Sequence, residues 1–190
     1  MVSALTTKRV DIIMSGMTDT VERQQAITFV DYFTSGPQFY TLQKNADLNE
    51  IIDLCGKKVG TSRRTTVPKE IGDWSKANCE SVGKPAIIVV GAEGTADARA
   101  QLRQSRLDAA VQGSETLPYI MKLDEKAYKA LGQPILKQYF GLGVGKDNPE
   151  LSKSIADTLQ EMIVDGTYLA ILKKWDLQEG AIERATLNLK

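Results

Sequence analysis

The block Ser15-Gly16-Met17-Thr18-Asp19-Thr20-Val21-Glu22-Arg23 gathers hydroxyls, a glycine and a guanidinium into one short stretch. Hydroxyls both donate and accept, and arginine presents a planar fork that matches the two oxygens of a carboxylate. By spacing alone, a strand-to-helix turn carrying a solvated arginine meets the same pattern. Other chemistry is sparse. Histidine is absent, which removes Ser-His and Cys-His nucleophile pairs, HExxH zinc sites and imidazole acid–base catalysis. No pairing of carboxylates suggests acid–base work. Cys55 and Cys79 are too few for a four-thiolate metal site and lack CxxC spacing, so two free thiols or one disulfide both fit. Gly141-Leu142-Gly143-Val144-Gly145-Lys146 imitates a phosphate loop, but the spacing is not GxxxxGK[ST] and Asp147 follows the lysine, so glycines in an extended strand are expected.

The chain carrying these groups has 190 residues, which at about 150 residues per domain makes one large domain or two small lobes. With 42% hydrophobic and 25% charged residues it is an ordinary globular composition able to bury a core. The 24 basic residues balance the 24 acidic ones, so the composition gives no electrostatic footprint for nucleic acid or an anionic membrane surface. No apolar run approaches the roughly 18 to 20 residues that span a bilayer. A secretion signal is not visible at the start, so an exported protein would be represented without its leader.

Short β-branched runs alternate with amphipathic stretches, the pattern of α/β folds with largely parallel sheets. Strands are expected at Val10–Met14, Ile27–Val30, Gln38–Gln43, Lys58–Thr61, Ala86–Val90, Leu107–Val111 and within Ile135–Val144. Thr20 is expected to cap a helix that places acidic Glu22 in its first turn. Further helices are expected over Leu48–Leu54, Pro68–Ala77, Thr95–Arg103 with Thr95 as the cap, a long one opened by Asn148-Pro149-Glu150 and stopped by Asp165-Gly166, and a last one from Thr167. In that last helix Tyr168, Ile171, Leu172 and Trp175 share one face. Trp74, Tyr168, Trp175 and the cluster Tyr32, Phe33, Phe39 and Tyr40 are expected to pack rather than to stack on a ligand.

Taken in order, VDIIMSGMTDTVERQQAITFVDYF, LCGKKVG followed by TT, LDAAVQ and DGTYLAILKKW resemble the solute-binding proteins of polar amino-acid ABC importers, the bacterial extracellular solute-binding proteins of family 3. The resemblance implies an α/β fold of the type II periplasmic-binding-protein-like kind, two lobes joined by two hinge strands. Lobe one would comprise 1–42 and 139–190 and lobe two 43–138, with Phe39–Lys44 and Leu136–Phe140 as the crossings. Lobe one would lack its usual N-terminal strands, leaving Val10–Met14 with unpaired backbone groups and an incomplete sheet expected to pair with a second copy as a homodimer, by edge pairing or by exchange of an element such as the C-terminal helices. The implied role is a non-catalytic, cofactor-free periplasmic protein that captures an amino acid between its lobes and delivers it to a membrane permease. The alternatives are an enzyme of the same fold, of the cyclohexadienyl dehydratase kind, and a fragment that no longer binds.

The resemblance also assigns residues. Arg23 would hold the ligand carboxylate, Thr18 would offer it a backbone N–H while its hydroxyl meets the ammonium, the Gly16 carbonyl would accept from the ammonium, and Ser15 would add a hydroxyl. On lobe two, Ser62-Arg63-Arg64-Thr65-Thr66 lies where the family has a glycine-containing turn at a helix N-terminus, a setting that favours anions. Thr66 would meet the carboxylate, and Arg64 stands in place of the glycine. Gly113 stands where many relatives carry an aspartate for the ammonium, with Glu115 two residues on as a substitute. The implied oxidising compartment would join Cys55 to Cys79.

Overall fold

The computed structural model describes residues 2–124 and 126–188. In chain order its elements are α1 (Val2–Thr6), β1 (Ile12–Thr18), α2 (Val21–Gln24), β2 (Ile27–Ser35), β3 (Pro37–Leu42), a 3-10 turn (Ile51–Leu54), β4 (Lys58–Ser62), α3 (Val67–Asn78), β5 (Ile88–Ala92), α4 (Thr95–Arg103), β6 (Ala109–Gly113), α5 (Leu117–Leu123), β7 (Tyr128–Leu131), β8 (Gln138–Gly145), α6 (Pro149–Val164), α7 (Thr167–Lys174) and β9 (Thr186–Leu187). Two compact units result, one of Met1–Ser35 with Lys137–Lys190 and one of Gly36–Leu136. The first boundary falls a few residues before the Phe39–Lys44 crossing, because β3 pairs with β6 and β7 and so belongs wholly to the second unit, while the second lies within Leu136–Phe140.

The first unit is built on a sheet of order β1-β8-β2-β9. Every pairing in it is antiparallel, which corrects the expectation of largely parallel sheets for this unit. One face buries Leu5 of α1 with Ile13, Met17, Ile27 and Phe29. The other buries Val30, Leu142 and Val144 against Leu151, Ile155 and Leu159 of α6. Asn148 caps α6 by accepting from the Leu151 N–H at 3.2 Å, as its sequence position predicts. The strand read at Val10–Met14 runs instead from Ile12 to Thr18, because Met17 and Thr18 pair with Gly141 and Phe140. On the outer strand β1, Ile12 and Met14 are exposed. The shared apolar face expected of α7 is only partly used: Tyr168 is buried and donates to the Tyr32 carbonyl at 2.8 Å, while Ile171 and Trp175 stay exposed.

The second unit carries a sheet of order β5-β4-β6-β3-β7, with β4 parallel to both β5 and β6. Alternation along β3 and β6 sends Phe39 and Val111 to the α3 side and Tyr40 and Ala110 to the α4 and α5 side. Thr95 is the first residue of α4 rather than its cap; Gly94 takes that position, and Asp97 accepts from the Glu93 N–H at 3.0 Å. Tyr40 and Tyr128 meet edge to face, and burial pushes the Tyr40 hydroxyl up to about 12. Cys55 and Cys79 form a disulfide with Cα atoms 5.6 Å apart. It fastens the end of the 3-10 turn to the end of α3, and Cys79 is fully buried in the α3-side core.

Closing a loop of 24 residues stabilises by roughly 3 kcal/mol in the chain-entropy account. Chemical denaturation with and without a reductant should show a loss of that order, reproduced by the double change Cys55→Ser/Cys79→Ser. Equal midpoints would remove the disulfide from the stability of the second unit.

Candidate functional site

In the first unit, the Ser15–Arg23 block forms the end of β1 and the start of α2. Thr20 accepts from the Arg23 backbone N–H at 3.3 Å and caps α2. This cap sets Arg23 one turn into the helix, and its guanidinium turns back to donate to the Thr18 carbonyl at 2.7 Å. One donor of the five is thereby spent on holding the fork in place. Thr18 is buried, Ser15 and Arg23 are half-buried, and Gly16 is exposed. Ser15, Gly16 and Thr18 thus lie on the strand itself and not in a turn following it. A Cβ at Gly16 would come 3.1 Å from the Phe140 ring, so the missing side chain lets that ring lie against the β1 backbone. Asp19, which the sequence reading passed over, is fully buried. Its Oδ1 accepts from Gln24 Nε2 at 2.8 Å, while Oδ2 has no hydrogen-bond partner among the described residues. A buried carboxylate in that condition is costly.

In the second unit, the candidates gather at one edge, the carboxyl ends of the parallel strands β5, β4 and β6. Such ends are where ligands meet open α/β sheets, since the turns leading to the following helices converge there. Ser62 ends β4 and is buried. Thr65 accepts from the Val67 N–H at 3.3 Å, position 68 is a proline, and the Lys69 N–H goes to the Thr66 carbonyl at 3.1 Å. The first turn of α3 therefore satisfies its own donors. The Thr66 side chain makes no capping bond. Arg63 and Arg64 both engage Glu93, the latter at 3.5 Å. All three side chains are more than half exposed, so these pairs add little stability. Glu93 was missed in the sequence; its place between a strand and the acidic-capped start of α4 was the available signal. At the end of β6, Gly113 is followed by a turn in which Thr116 donates to the Gly113 carbonyl through its N–H and its hydroxyl, each at 3.0 Å. Glu115 lies in that turn with its carboxylate over the Gly113 Cα. Along the edge from β5 through β4 to β6 the turns thus carry Glu93, the Arg63–Arg64 pair and Glu115 in that order.

Among the described residues no cluster of three or more carboxylate or thiol side chains could hold a metal ion, and no helix is long and apolar enough to cross a membrane. Residues 1–178 match the bacterial extracellular solute-binding proteins, family 3. The chain belongs to this family. Among curated relatives of this solute-binding protein, the arginine-binding protein ArgT of Corynebacterium glutamicum is 26% identical over 94% of the chain, and the histidine-binding periplasmic protein of Escherichia coli K12 is 30% identical over 92%. The chain spans 58% of the first relative's length and 68% of the second's. Among solved structures, an ancestral arginine-binding protein bound to arginine matches with a TM-score of 0.75 and 29% identity, over 92% of this chain and 75% of that one. The fold is accordingly the α/β fold of the type II periplasmic-binding-protein kind.

Removing the charge from Asp19 relieves a buried, incompletely bonded carboxylate while keeping the oxygen that Gln24 uses. Asp19→Asn should raise the thermal midpoint, by an amount corresponding to about 1 kcal/mol or more. A lower midpoint in a melting scan would mean that Oδ2 has a donor which the amide cannot replace.

Proposed function

We propose that this protein is the substrate-binding component of an ABC importer, a non-catalytic periplasmic receptor that takes up an amino acid and hands it to a membrane permease. The observation that carries this reading is the Arg23 guanidinium, held by the Thr18 carbonyl at 2.7 Å. A carboxylate is the anion that such a pre-set fork fits, because two parallel N–H donors match its two oxygens. Ser62, Arg64 and Thr66 supply further donors on the second unit, with Thr66 the nearest in character to a carboxylate partner and Arg64 the more solvated. The relatives' names, an arginine-binding and a histidine-binding protein, support the same ligand class. The lack of histidine leaves the enzyme alternative without an obvious general base.

Thermal-shift screening of the chain against the twenty amino acids, followed by calorimetry on those that raise the midpoint, tests the proposal. Arg23→Ala should cost about 2 to 5 kcal/mol of binding free energy, because it leaves a desolvated carboxylate without its partner. Arg23→Lys should recover only part of this, since an ammonium keeps the charge and loses the fork. An alanine variant that binds as tightly as the parent refutes the anchor, and a parent that binds none of the twenty refutes the receptor.

A further inference from the structure

Residues 179–188 continue past the stretch that matches the family and pack back onto the first unit. They are fastened along their length. The Gly180 carbonyl accepts from the Thr34 hydroxyl at 3.1 Å, and a Cβ at Gly180 would run into the Phe33 ring, so the bare backbone lies close against that side chain. The Ile182 N–H donates to the Tyr168 hydroxyl and the Ala185 N–H to Gln160 Oε1, each at 3.1 Å. β9 then pairs with β2, and Asn188 exchanges hydrogen bonds with the Phe29 backbone. Between this tail and the ends of β2 and β8 lies a cavity of about 490 Å³ whose lining includes Thr34, Lys137, Tyr139, Ile182, Arg184 and Thr186. That volume falls in the range of about 300 to 1,000 Å³ that small-molecule sites occupy. The sheet order puts the tail at the opposite edge from β1, and no residue of the Ser15–Arg23 block lines the cavity.

The lining joins an apolar wall to a cationic rim. Ile182 is buried, while Lys137 and Arg184 are exposed. Lys137 Nζ donates to the Glu179 carbonyl at 3.4 Å, and among the described residues no hydrogen bond or ion pair holds the Arg184 guanidinium. The Thr186 hydroxyl is buried with no hydrogen-bond partner among the described residues. Glu183 is the one carboxylate on the described lining, so the two cations outnumber it. We propose that this cavity is a second binding site, for a small organic carboxylate with an apolar body. Arg184 presents a planar fork to the two carboxylate oxygens, Lys137 adds a second cation, and the Thr186 hydroxyl gains the acceptor it lacks. Ile182 meets the apolar part. The excess of positive charge favours an anion over a neutral or cationic molecule of the same shape. Because the tail is already fastened, binding loses little entropy in ordering this wall.

The test is a backbone-amide NMR titration with benzoate as the probe, and with benzamide and benzylamine as its neutral and cationic counterparts. Benzoate should move the Ile182, Arg184 and Thr186 amides saturably, and the two counterparts should bind at least about tenfold more weakly. Arg184→Ala and Lys137→Gln should each weaken benzoate about tenfold or more with an unaltered melting midpoint, since both side chains are exposed. Arg184→Lys should keep part of the affinity, having the charge without the fork. Benzoate shifts confined to the Ser15–Arg23 block, equal binding of the three probes, full affinity in Arg184→Ala, or no saturable shift with benzoate each overturns the proposal. A chain that takes benzoate in this way and binds none of the twenty amino acids removes the receptor reading and leaves this site standing.

Discussion

The first unit depends on one strand arriving from the far end of the chain. β8 lies between β1 and β2 and bonds to both, so the N-terminal segments become a sheet only when residues 138–145 have slotted between them. Its glycines make the fit possible. A Cβ at Gly141 would stand 2.6 Å from the Phe29 ring, and one at Gly143 would stand 3.1 Å from both Ile27 and Met17. The face of β8 on which Gly141 and Gly143 lie is thus the face on which Leu5, Met17, Ile27 and Phe29 close over the sheet. Close approach of neighbouring side chains to a bare backbone is what replaces side-chain volume here. The Gly-x-Gly-x-Gly run that mimics a phosphate loop is a packing surface.

That strand also positions the Ser15–Arg23 block. Thr18 pairs with Phe140, the Asp19 N–H donates to the Tyr139 carbonyl at 2.9 Å, and the Phe140 ring rests against Gly16. The backbone carrying Ser15, Gly16 and Thr18 is therefore held by β8 before α2 begins. The Thr20 cap then fixes where Arg23 falls. An arginine on a frayed turn would lose affinity to the entropy of ordering it, and two hydrogen bonds within the block remove much of that cost. The buried Asp19 sits in the same short stretch, a cost in stability beside the candidate residues. In the second unit, the polarity of the sheet edge has a similar origin. Parallel strands bring their carboxyl ends together, so the turn after β4 with its arginines, the turn after β5 with Glu93 and the turn after β6 with Glu115 become neighbours although they are distant in sequence.

Several elements of both units were legible from the chain because their signals are local. The strands expected at Lys58–Thr61 and, two residues early, at Ala86–Val90, the helix with Pro68 in its first turn and the Asn148 cap of α6 each depend on residues within a few positions of one another. So does the Thr20 cap. Family likeness pointed to Arg23 as a candidate and added the Cys55–Cys79 pairing, which spacing alone leaves open between free thiols and a bond. The unseen elements were the short ones, α1, α5, β7 and β9, each too brief to show a period.

What the sequence determined by itself was the set of available groups, the class of fold and the chemistry ruled out by the absence of histidine. Tertiary structure alone decided that β1 extends through Thr18, that the sheet of the first unit is antiparallel, and that Glu93 gathers Arg63 and Arg64. It alone decided, too, that Glu115 occupies the space left by Gly113. These features are contacts between segments far apart in the chain or between a side chain and a backbone it reaches only after a turn has formed. Such contacts leave no periodic trace in the sequence, because hydrogen-bond pairing and excluded volume between distant segments depend on which strand docks beside which.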